Sequence, residues 1–187
     1  MQRRKPPQNH TDDAGFSEEV TFRPIGVVHS PYKERFGTPR QPNVTQQVMG
    51  DAQLEASIEL FEHTKYERSL QGLEGFEYIW VVFWMHLNST WGPMVKPPRG
   101  PKKKMGVFAT RSPNRPNPIG LSALKLTGIE GRMLKVIGLD ILDGTPVLDI
   151  KPYVPYADAF EGAKAGWLDS MGDAMDGPDY WSAEKQS

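Results

Sequence analysis

The most informative part of the chain for its architecture is residues 76–86, which read FEYIWVVFWMH. This run is almost continuously apolar and rich in β-branched and aromatic residues, which favours a strand over a helix. Such a strand suits the core of a barrel or sandwich, where both of its faces are covered. It is also too short to span a bilayer, because a spanning helix needs about 20 apolar residues. We therefore expect residues 76–86 to form a central buried strand.

Shorter strands are predicted on both sides of this segment, at residues 20–30, 52–60, 106–110, 121–130, 131–142 and 146–153. The pattern is clear in 52–60, where Leu54, Ala56, Ile58 and Leu60 alternate with polar residues. Alternation of this kind is typical of a half-buried strand. The pattern of these strands predicts a sheet that packs one of its faces against the core.

One short helix and several turns connect the predicted strands. Residues 63–71 lack alternation, contain helix-forming residues and end near Gly72, which suits a glycine cap. Glu130–Gly131 is placed for a hairpin turn between two strands. Many short strands with one helix favour an antiparallel barrel or sandwich over β-α-β units. The residue pattern leaves the barrel and the sandwich open.

The composition fits one globular domain with polar ends. Of 187 residues, 38% are hydrophobic and 24% are charged, which excludes fibrous and wholly disordered classes. We expect a mobile tail at 1–19, the β domain at 20–156 and an acidic tail at 157–187. The chain has no cysteine, which excludes disulfides and cysteine nucleophiles. Its start lacks the apolar run of a signal peptide, so we expect a cytoplasmic protein that does not bind membranes.

The charge is nearly balanced but unevenly distributed. A net charge of −1 argues against a uniformly basic nucleic-acid binder. A local basic cluster nevertheless occurs in the loop 89–104 and consists of Arg99, Lys102, Lys103 and Lys104. This cluster could follow a phosphate backbone, and nearby Trp91 could stack on a base. A solvated surface loop is the alternative.

Two proline-rich loops are candidates for a binding site. Residues 31–44 form a long connection, and residues 111–120, RSPNRPNPIG, place arginine and asparagine side chains on a stiff backbone. Preorganised donors suit an anionic or polar ligand, although a purely structural loop is equally compatible with the pattern. The segment Asp143–Pro146, DGTP, has the composition of a tight turn and by itself indicates no more.

Metal and common nucleotide sites lack support in the sequence. The histidines His10, His29, His63 and His86 show no zinc-binding spacing, so we expect no metal. Neither a glycine-rich dinucleotide motif nor a P-loop is present. His86 ends the buried run, where it suits either a structural role or a ligand site at a barrel mouth.

Four blocks of sequence, in this order, carry a family resemblance: IGVVHSPYKERFGTPRQP at 25–42, LEGFEYIWVVFWMH at 73–86, GVFATRSPNRPNPIGLS at 106–122 and LDILDGTPVLDIKPY at 139–153. They resemble the successive signatures of the TrmO family, the tRNA N6-threonylcarbamoyladenosine methyltransferases. The resemblance covers roughly residues 21–156. Ordered blocks with matching separations are far more specific than any one motif.

The resemblance implies a mainly β fold, a compact single-sheeted antiparallel β-barrel with one short helix and long functional loops. It also implies a homodimer that binds S-adenosylmethionine without a Rossmann sheet and methylates the modified adenosine beside the anticodon of tRNA. The implied cofactor-binding residues are Pro39, Arg40, Gln41, His86, Leu87, Arg111, Leu121, Asp143, Gly144, Thr145 and Pro146. No general base is implied.

We expect the tRNA to meet the basic loop 89–104 together with Arg115 and Asn117. Two departures from the family pattern affect these expectations. Leu87 follows His86 where a polar residue is common, which suggests a backbone contribution at this position. Longer members add a C-terminal domain, so we expect binding to tRNA to be weaker here or to be shared with a partner subunit. A cofactor-binding regulator, or a methyltransferase for another small or nucleotide substrate, remains the alternative.

Overall fold

The structure is a computed structural model that describes residues 19–34, 55–63, 65–97 and 103–175. Its strands are β1 Gly26–His29, β2 Ala56–Leu60, β3 Tyr78–Trp84, β4 Met94–Val95, β5 Met105–Gly106, β6 Ile119–Glu130, β7 Met133–Ile137 and β8 Pro146–Pro152. Its α-helices are α1 Tyr66–Ser69 and α2 Pro155–Asp158, and 3₁₀ turns occur at Leu73–Gly75, Val107–Ala109 and Gly166–Met175.

Six of these strands close into an antiparallel barrel in the order β1-β2-β7-β6-β3-β8, and β8 pairs back with β1. The predicted single-sheeted barrel is therefore confirmed, and the sandwich is excluded. The remaining pair, β4 and β5, forms a small separate hairpin that the sequence did not predict. Closure removes the exposed sheet edges that an open β domain would have.

The barrel interior is filled by alternate residues of the strands. In β2 the side chains of Ala56, Ile58 and Leu60 are buried as predicted, whereas Leu54 lies outside the described residues. In β3 the interior residues include Ile79 and Val81, both fully buried. The alternation arises because successive side chains of a strand point to opposite faces of the sheet.

Three predictions about strands are corrected. The central strand is not buried on both faces, since its outward residues Tyr78 and Trp84 are 38% and 44% exposed. The strand predicted at 131–142 ends at Ile137, because Gly138 takes a positive φ of 81° that interrupts the extended backbone. The strand predicted at 106–110 is mostly a 3₁₀ turn.

The predicted helix and hairpin turn are confirmed, with shorter bounds. The helix α1 occupies the middle of 63–71, and Gly72 follows it with φ of 89°, a left-handed conformation that favours glycine. Gly131 lies in the turn between β6 and β7 with φ of 56°. The sequence did not predict α2 or the 3₁₀ turns.

The barrel has two different ends. At the end that we call the loop end, the carboxyl ends of β1, β3 and β7 lie beside the amino ends of β2, β6 and β8. The β1–β2 connection, the β3–β6 connection and the β7–β8 connection all start and finish here. The opposite, hairpin end carries the tight β6–β7 turn and α1. The described ends of these three connections therefore lie at one end of the barrel.

The chain after β8 returns along the outside of the barrel. The Trp80 indole N–H donates to Asp158 Oδ2 at 3.0 Å, and the Trp167 indole N–H donates to the Ala109 carbonyl at 2.8 Å. Part of the region predicted as an acidic tail is thereby connected to the loop end. Among the described residues, no helix has the length and apolar character needed to cross a bilayer.

Candidate functional site

The loop end has a polar interior. Among the described residues, the buried polar side chains are Ser30, Ser122 and Thr145, which are 7%, 4% and 4% exposed. All three lie at this end, after β1, near the start of β6 and just before β8. Unpaired buried polar groups cost free energy, so such groups need a partner or serve a ligand. Among the described residues, none forms a hydrogen bond with the Thr145 hydroxyl, which is the arrangement expected of a ligand contact.

The predicted DGTP turn is fixed to the end of β1 by Asp143. Its carboxylate accepts a hydrogen bond from the Ser30 backbone N–H at 2.9 Å and pairs with Lys33 Nζ at 2.6 Å. The Asp143 N–H donates to the Tyr32 carbonyl at 2.9 Å. The Lys33 and Ser30 contacts lower the pKa of Asp143. Gly144 has φ of 73°, which explains why glycine occupies this turn.

A second carboxylate, Asp140, lies in the same β7–β8 connection. Its Oδ1 accepts a hydrogen bond from the Ser122 hydroxyl at 2.7 Å. Burial raises the pKa of Asp140 to about 6, against opposing effects of the Ser122 hydrogen bond and of Arg111. Because β6 pairs with β7 only from Lys125 onward, Asp140 meets β6 beyond the end of β7. Through Ser122, Asp140 therefore links the β7–β8 connection to β6, the strand that follows the loop of Arg111.

The loop that contains Arg111 is stiffened by a series of local hydrogen bonds. Thr110 Oγ1 donates to the Val107 carbonyl at 2.8 Å and accepts from the Ser112 N–H at 3.3 Å. Further along, the Arg115 N–H donates to the Pro113 carbonyl at 3.0 Å. These turns, together with the prolines, support the predicted preorganised loop. The Arg111 side chain is exposed on it and forms no salt bridge with any of the residues that the structure describes.

The end of β3 is tied to the same loop. The Met85 N–H donates to the Pro118 carbonyl at 2.8 Å, and Trp84 pairs with Ile119. The His86 ring packs edge-on against Trp84 with centroids 6.0 Å apart. Trp84 faces outward, so this contact draws the His86 ring towards the outer wall. His86 and Arg111 thus belong to one connected structural unit.

The predicted cofactor residues divide into three groups. At the loop end the structure brings together His86, Leu87, Arg111, Asp143, Gly144, Thr145 and Pro146. Leu121 lies on the same end, but its side chain faces outward from β6 and is 53% exposed. Pro39, Arg40 and Gln41 lie outside the described residues. Leu87 is 60% exposed beyond the end of β3.

The predicted RNA-binding residues are also found beside the loop end where they are described. Arg115 and Asn117 line a cavity of about 350 Å³ together with Phe108, Pro116 and Ile119. Lys103 and Lys104 are exposed next to β5, whereas Arg99 and Lys102 lie outside the described residues. The cavity combines a cation and an amide with an exposed aromatic ring, since Phe108 is 77% exposed.

The donor set at the loop end fits S-adenosylmethionine. This group presents a carboxylate, hydroxyls and a cationic sulfonium, and the site offers the Arg111 guanidinium, buried hydroxyls and carboxylate oxygens. No cluster of three or more histidine, aspartate or glutamate side chains suited to a metal occurs in the part of the chain that the structure describes. The chemistry available is that of charged and hydroxyl side chains in a partly enclosed mouth.

The sequence interpretation missed Asp140 and Ser122. Both residues lie inside segments predicted as alternating strands, so neither stood out as a site residue. The available signal was an acidic residue between Leu139 and Ile141, which are each only 2% exposed. A carboxylate held between two core residues is seldom a solvated surface group.

Comparisons with known proteins agree with this geometry. Residues 27–159 match the family model "tRNA-methyltransferase O N-terminal domain". The chain is 42% identical over 156 residues to the tRNA (adenine(37)-N6)-methyltransferase of Escherichia coli, covering 80% of this chain and 64% of that protein. It is 40% identical over 150 residues to a probable S-adenosyl-L-methionine-binding protein of Pyrococcus abyssi, covering 80% of this chain and 77% of that protein.

A solved structure shows the same fold. The crystal structure of TrmO from Pseudomonas aeruginosa superposes with a TM-score of 0.65 at 39% identity, covering 79% of this chain and 62% of that one. The chain therefore spans less than two thirds of the Escherichia coli and Pseudomonas relatives that it matches. Since the family model covers most of the chain, and the barrel and the identities agree with it, this chain belongs to the tRNA-methyltransferase O N-terminal domain family.

Proposed function

We propose that the protein is an S-adenosylmethionine-dependent methyltransferase that acts in the cytoplasm on N6 of threonylcarbamoyladenosine, beside the anticodon of tRNA. The observation that carries the proposal is the loop end, where buried hydroxyls, two carboxylates and Arg111 meet at one mouth of an otherwise apolar barrel. The names of the Escherichia coli and Pyrococcus relatives support the reaction and the cofactor.

The cofactor would be held by residues of three connections. Arg111 would pair with its carboxylate, because guanidinium groups bind carboxylates through paired hydrogen bonds. The turn Asp143–Pro146, with the buried Thr145 hydroxyl, and the backbone at His86 and Leu87 would contact its other polar edges. S-adenosylmethionine supplies a methyl group on positively charged sulfur. The protein's contribution is alignment, which accounts for much of the acceleration in such displacements.

The tRNA would approach over the cavity lined by Arg115 and Asn117. The cavity has a volume of about 350 Å³, at the lower end of the range typical of small-molecule sites. Sequence-specific RNA recognition commonly uses unstacked loop bases that lie on aromatic rings, and Phe108 offers such a ring. Lys103 and Lys104, with Arg99 and Lys102 of the same loop, would contact phosphates.

We further propose a homodimer formed through the outer faces of β3 and β6. On these strands Trp84 pairs with Ile119, and Val82 pairs with Leu121. The exposed fractions of Trp84, Ile119 and Leu121 are 44%, 40% and 53%, and exposed apolar patches often mark protein–protein contacts. Burying this patch would place Leu121 of each protomer beside the loop ends of the two barrels. This would explain why Leu121, whose side chain faces outward, is among the predicted cofactor-binding residues.

The division of the chain remains part of the proposal: a tail at 1–19, the methyltransferase domain at 20–156 and an acidic tail at 157–187. The second candidate is a barrel that binds S-adenosylmethionine as a regulator or acts on another small or nucleotide substrate. The finding that favours it is the name of the Pyrococcus abyssi relative, which is a probable S-adenosyl-L-methionine-binding protein.

Transfer of labelled methyl from S-adenosylmethionine to tRNA tests the proposal. We expect incorporation into tRNA that carries threonylcarbamoyladenosine and none into tRNA from cells that lack this modification. Cofactor binding without incorporation into either tRNA would contradict the proposed substrate and favour the second candidate. Absence of both binding and transfer would contradict the proposal as a whole.

The dimer has a separate test in light scattering. Replacing Ile119 by Glu should shift the mass towards that of a monomer, whereas Thr127→Glu, an exposed change farther along β6, should not. An unchanged mass for Ile119→Glu, in a protein that is dimeric when unmodified, would contradict the proposed interface.

A further inference from the structure

The methylated nitrogen must lose a proton, and the loop end contains a candidate acceptor. We propose that the Asp140 carboxylate accepts this proton, with Ser122 as the residue that positions it. The inference rests on the proposed function, because it assigns a role within that reaction.

The location of Asp140 supports this role. The flanking residues Leu139 and Ile141 are part of the apolar core, so the backbone on both sides of Asp140 is held in place. The Ser122 hydroxyl, itself 4% exposed, fixes one carboxylate oxygen through a hydrogen bond of 2.7 Å. A base held by a core backbone and by a buried donor is oriented before substrate arrives, which lowers the cost of ordering it in the reaction.

A comparison with Asp143 shows why Asp140 is the better base. Asp143 is paired with Lys33 and bonded to the Ser30 N–H, and these contacts lower its pKa. Asp140 is bonded by Ser122 and its own backbone N–H, and within the described ranges no cation lies at ion-pair distance from it. Its pKa of about 6 is close to the operating pH, which is where a general base is most effective.

Other titratable groups near Asp140 are less suited to the role. Tyr32 faces it from the segment after β1, and burial together with Asp140 raises the pKa of the Tyr32 phenol, which keeps its proton. Arg111 is always charged and cannot accept a proton. The His86 ring packs against Trp84, whose side chain is exposed, whereas Ser122 is buried.

The step balances with these groups. The adenosine nitrogen forms a bond to the methyl carbon while the methyl–sulfur bond breaks, and the electron pair of that bond stays on sulfur. The electrons of the N–H bond remain on nitrogen, and the proton passes to a carboxylate oxygen of Asp140. No additional reactant is required, and the protonated Asp140 returns its proton to water after release of product.

The test compares Asp140→Asn with Asp149→Asn, the same change at a partly exposed carboxylate that pairs with Lys151 on the barrel wall. We expect Asp140→Asn to lower kcat by at least about 100-fold, the usual contribution of a general base, while the Kd for S-adenosylmethionine changes by less than about threefold. Asp149→Asn should keep kcat within about twofold.

The pH profile provides a readout that a merely structural role would not change. For the unmodified protein we expect log kcat to fall on the acid side with a single ionisation near 6. Ser122→Ala removes a hydrogen bond that lowers the pKa of Asp140, so the acid limb should move to higher pH. The pKa of Asp140 can be followed through the NMR signal of its carboxyl carbon in the protein without cofactor. Between the unmodified protein and Ser122→Ala, this pKa should rise by as much as the acid limb moves.

Several outcomes would overturn the inference. One is a kcat for Asp140→Asn within about threefold of the unmodified protein; others are a loss of cofactor binding that accounts for the whole defect, or an acid limb that Ser122→Ala leaves in place. If Asp140→Asn fails to fold, the pH profile and the NMR titration of the unmodified protein decide alone. An unmodified protein that binds cofactor but transfers no methyl group would overturn the proposed function, and this inference with it.

Discussion

The two ends of the barrel are formed by the same strands but differ in what fills them. The hairpin end is closed by apolar side chains, with Leu60 and Leu70 buried and Leu73 of the turn after α1 packed against the core. The loop end also contains buried apolar residues such as Leu139 and Ile141, but the buried polar side chains Ser30, Ser122 and Thr145 are found there. The difference suggests that the hairpin end serves stability, while the loop end gives up some stability to hold polar groups for a ligand.

The largest expected effect contrasts an arginine from each end. Arg111→Ala should weaken S-adenosylmethionine binding by about 10- to 100-fold, because a charged hydrogen bond contributes about 1.5–3 kcal/mol. Arg132→Ala, which loses a 2.6 Å hydrogen bond to the Leu60 carbonyl at the hairpin end, should lower the free energy of unfolding by about 1 kcal/mol and leave binding unchanged. Calorimetry and denaturant unfolding measure the two quantities; equal losses of affinity would remove the contrast.

The second effect concerns how far the Asp140 carboxylate lowers the free energy of unfolding. Its pKa is higher in the folded protein, about 6 against 3.8, so folding favours the protonated form and the protein gains stability as the pH falls. Asp140→Asn should therefore raise the free energy of unfolding by about 2 kcal/mol above about pH 7, and the difference should close towards about pH 4. Urea unfolding at several pH values measures this. A variant less stable than the unmodified protein above about pH 7 would show that Asp140 contributes to stability.

The third effect on the free energy of unfolding has the opposite sign and comes from the Asp143 carboxylate. Because its contacts lower the pKa of Asp143, the stabilisation is present above the unfolded value of 3.8 and is lost as the pH falls through the lower folded value. Asp143→Asn should cost about 1 kcal/mol at neutral pH and progressively less below about pH 4. The same unfolding series measures it, and a penalty that grows on acidification would contradict the assignment.

The smallest effect concerns the C-terminal segment. Trp167→Phe removes the hydrogen bond to Ala109 but keeps an aromatic ring, so the turn before Arg111 should loosen and the Kd for S-adenosylmethionine should rise by about two- to fivefold. Trp91→Phe, at an exposed indole, is the control and should leave the Kd unchanged. An equal Kd for both variants would mean that the segment after β8 does not support the cofactor site.

Much of the barrel could be predicted because its strands alternate or form apolar runs, as in Ala56–Leu60. The end of β7 could not, since Gly138 interrupts an apolar pattern that continues through Leu139 and Ile141. The same pattern concealed Asp140, whose partner Ser122 is 18 positions away in the chain and meets it only through closure of the barrel. Arg111 and Asp143 were predicted as site residues through the family resemblance. Local composition left the loop of Arg111 open between a ligand-binding loop and a stiff structural loop, and it indicated only a turn at Asp143.

The central claim, that the ligand site occupies the loop end, is tested most directly by amide NMR during titration with S-adenosylmethionine. We predict that the shifted amides cluster at His86, Arg111, Ser122 and 140–145, while Leu70, Gly131 and Arg132 at the hairpin end stay unchanged. Shifts centred on the hairpin end, or no saturable shifts at the loop end, would contradict the account.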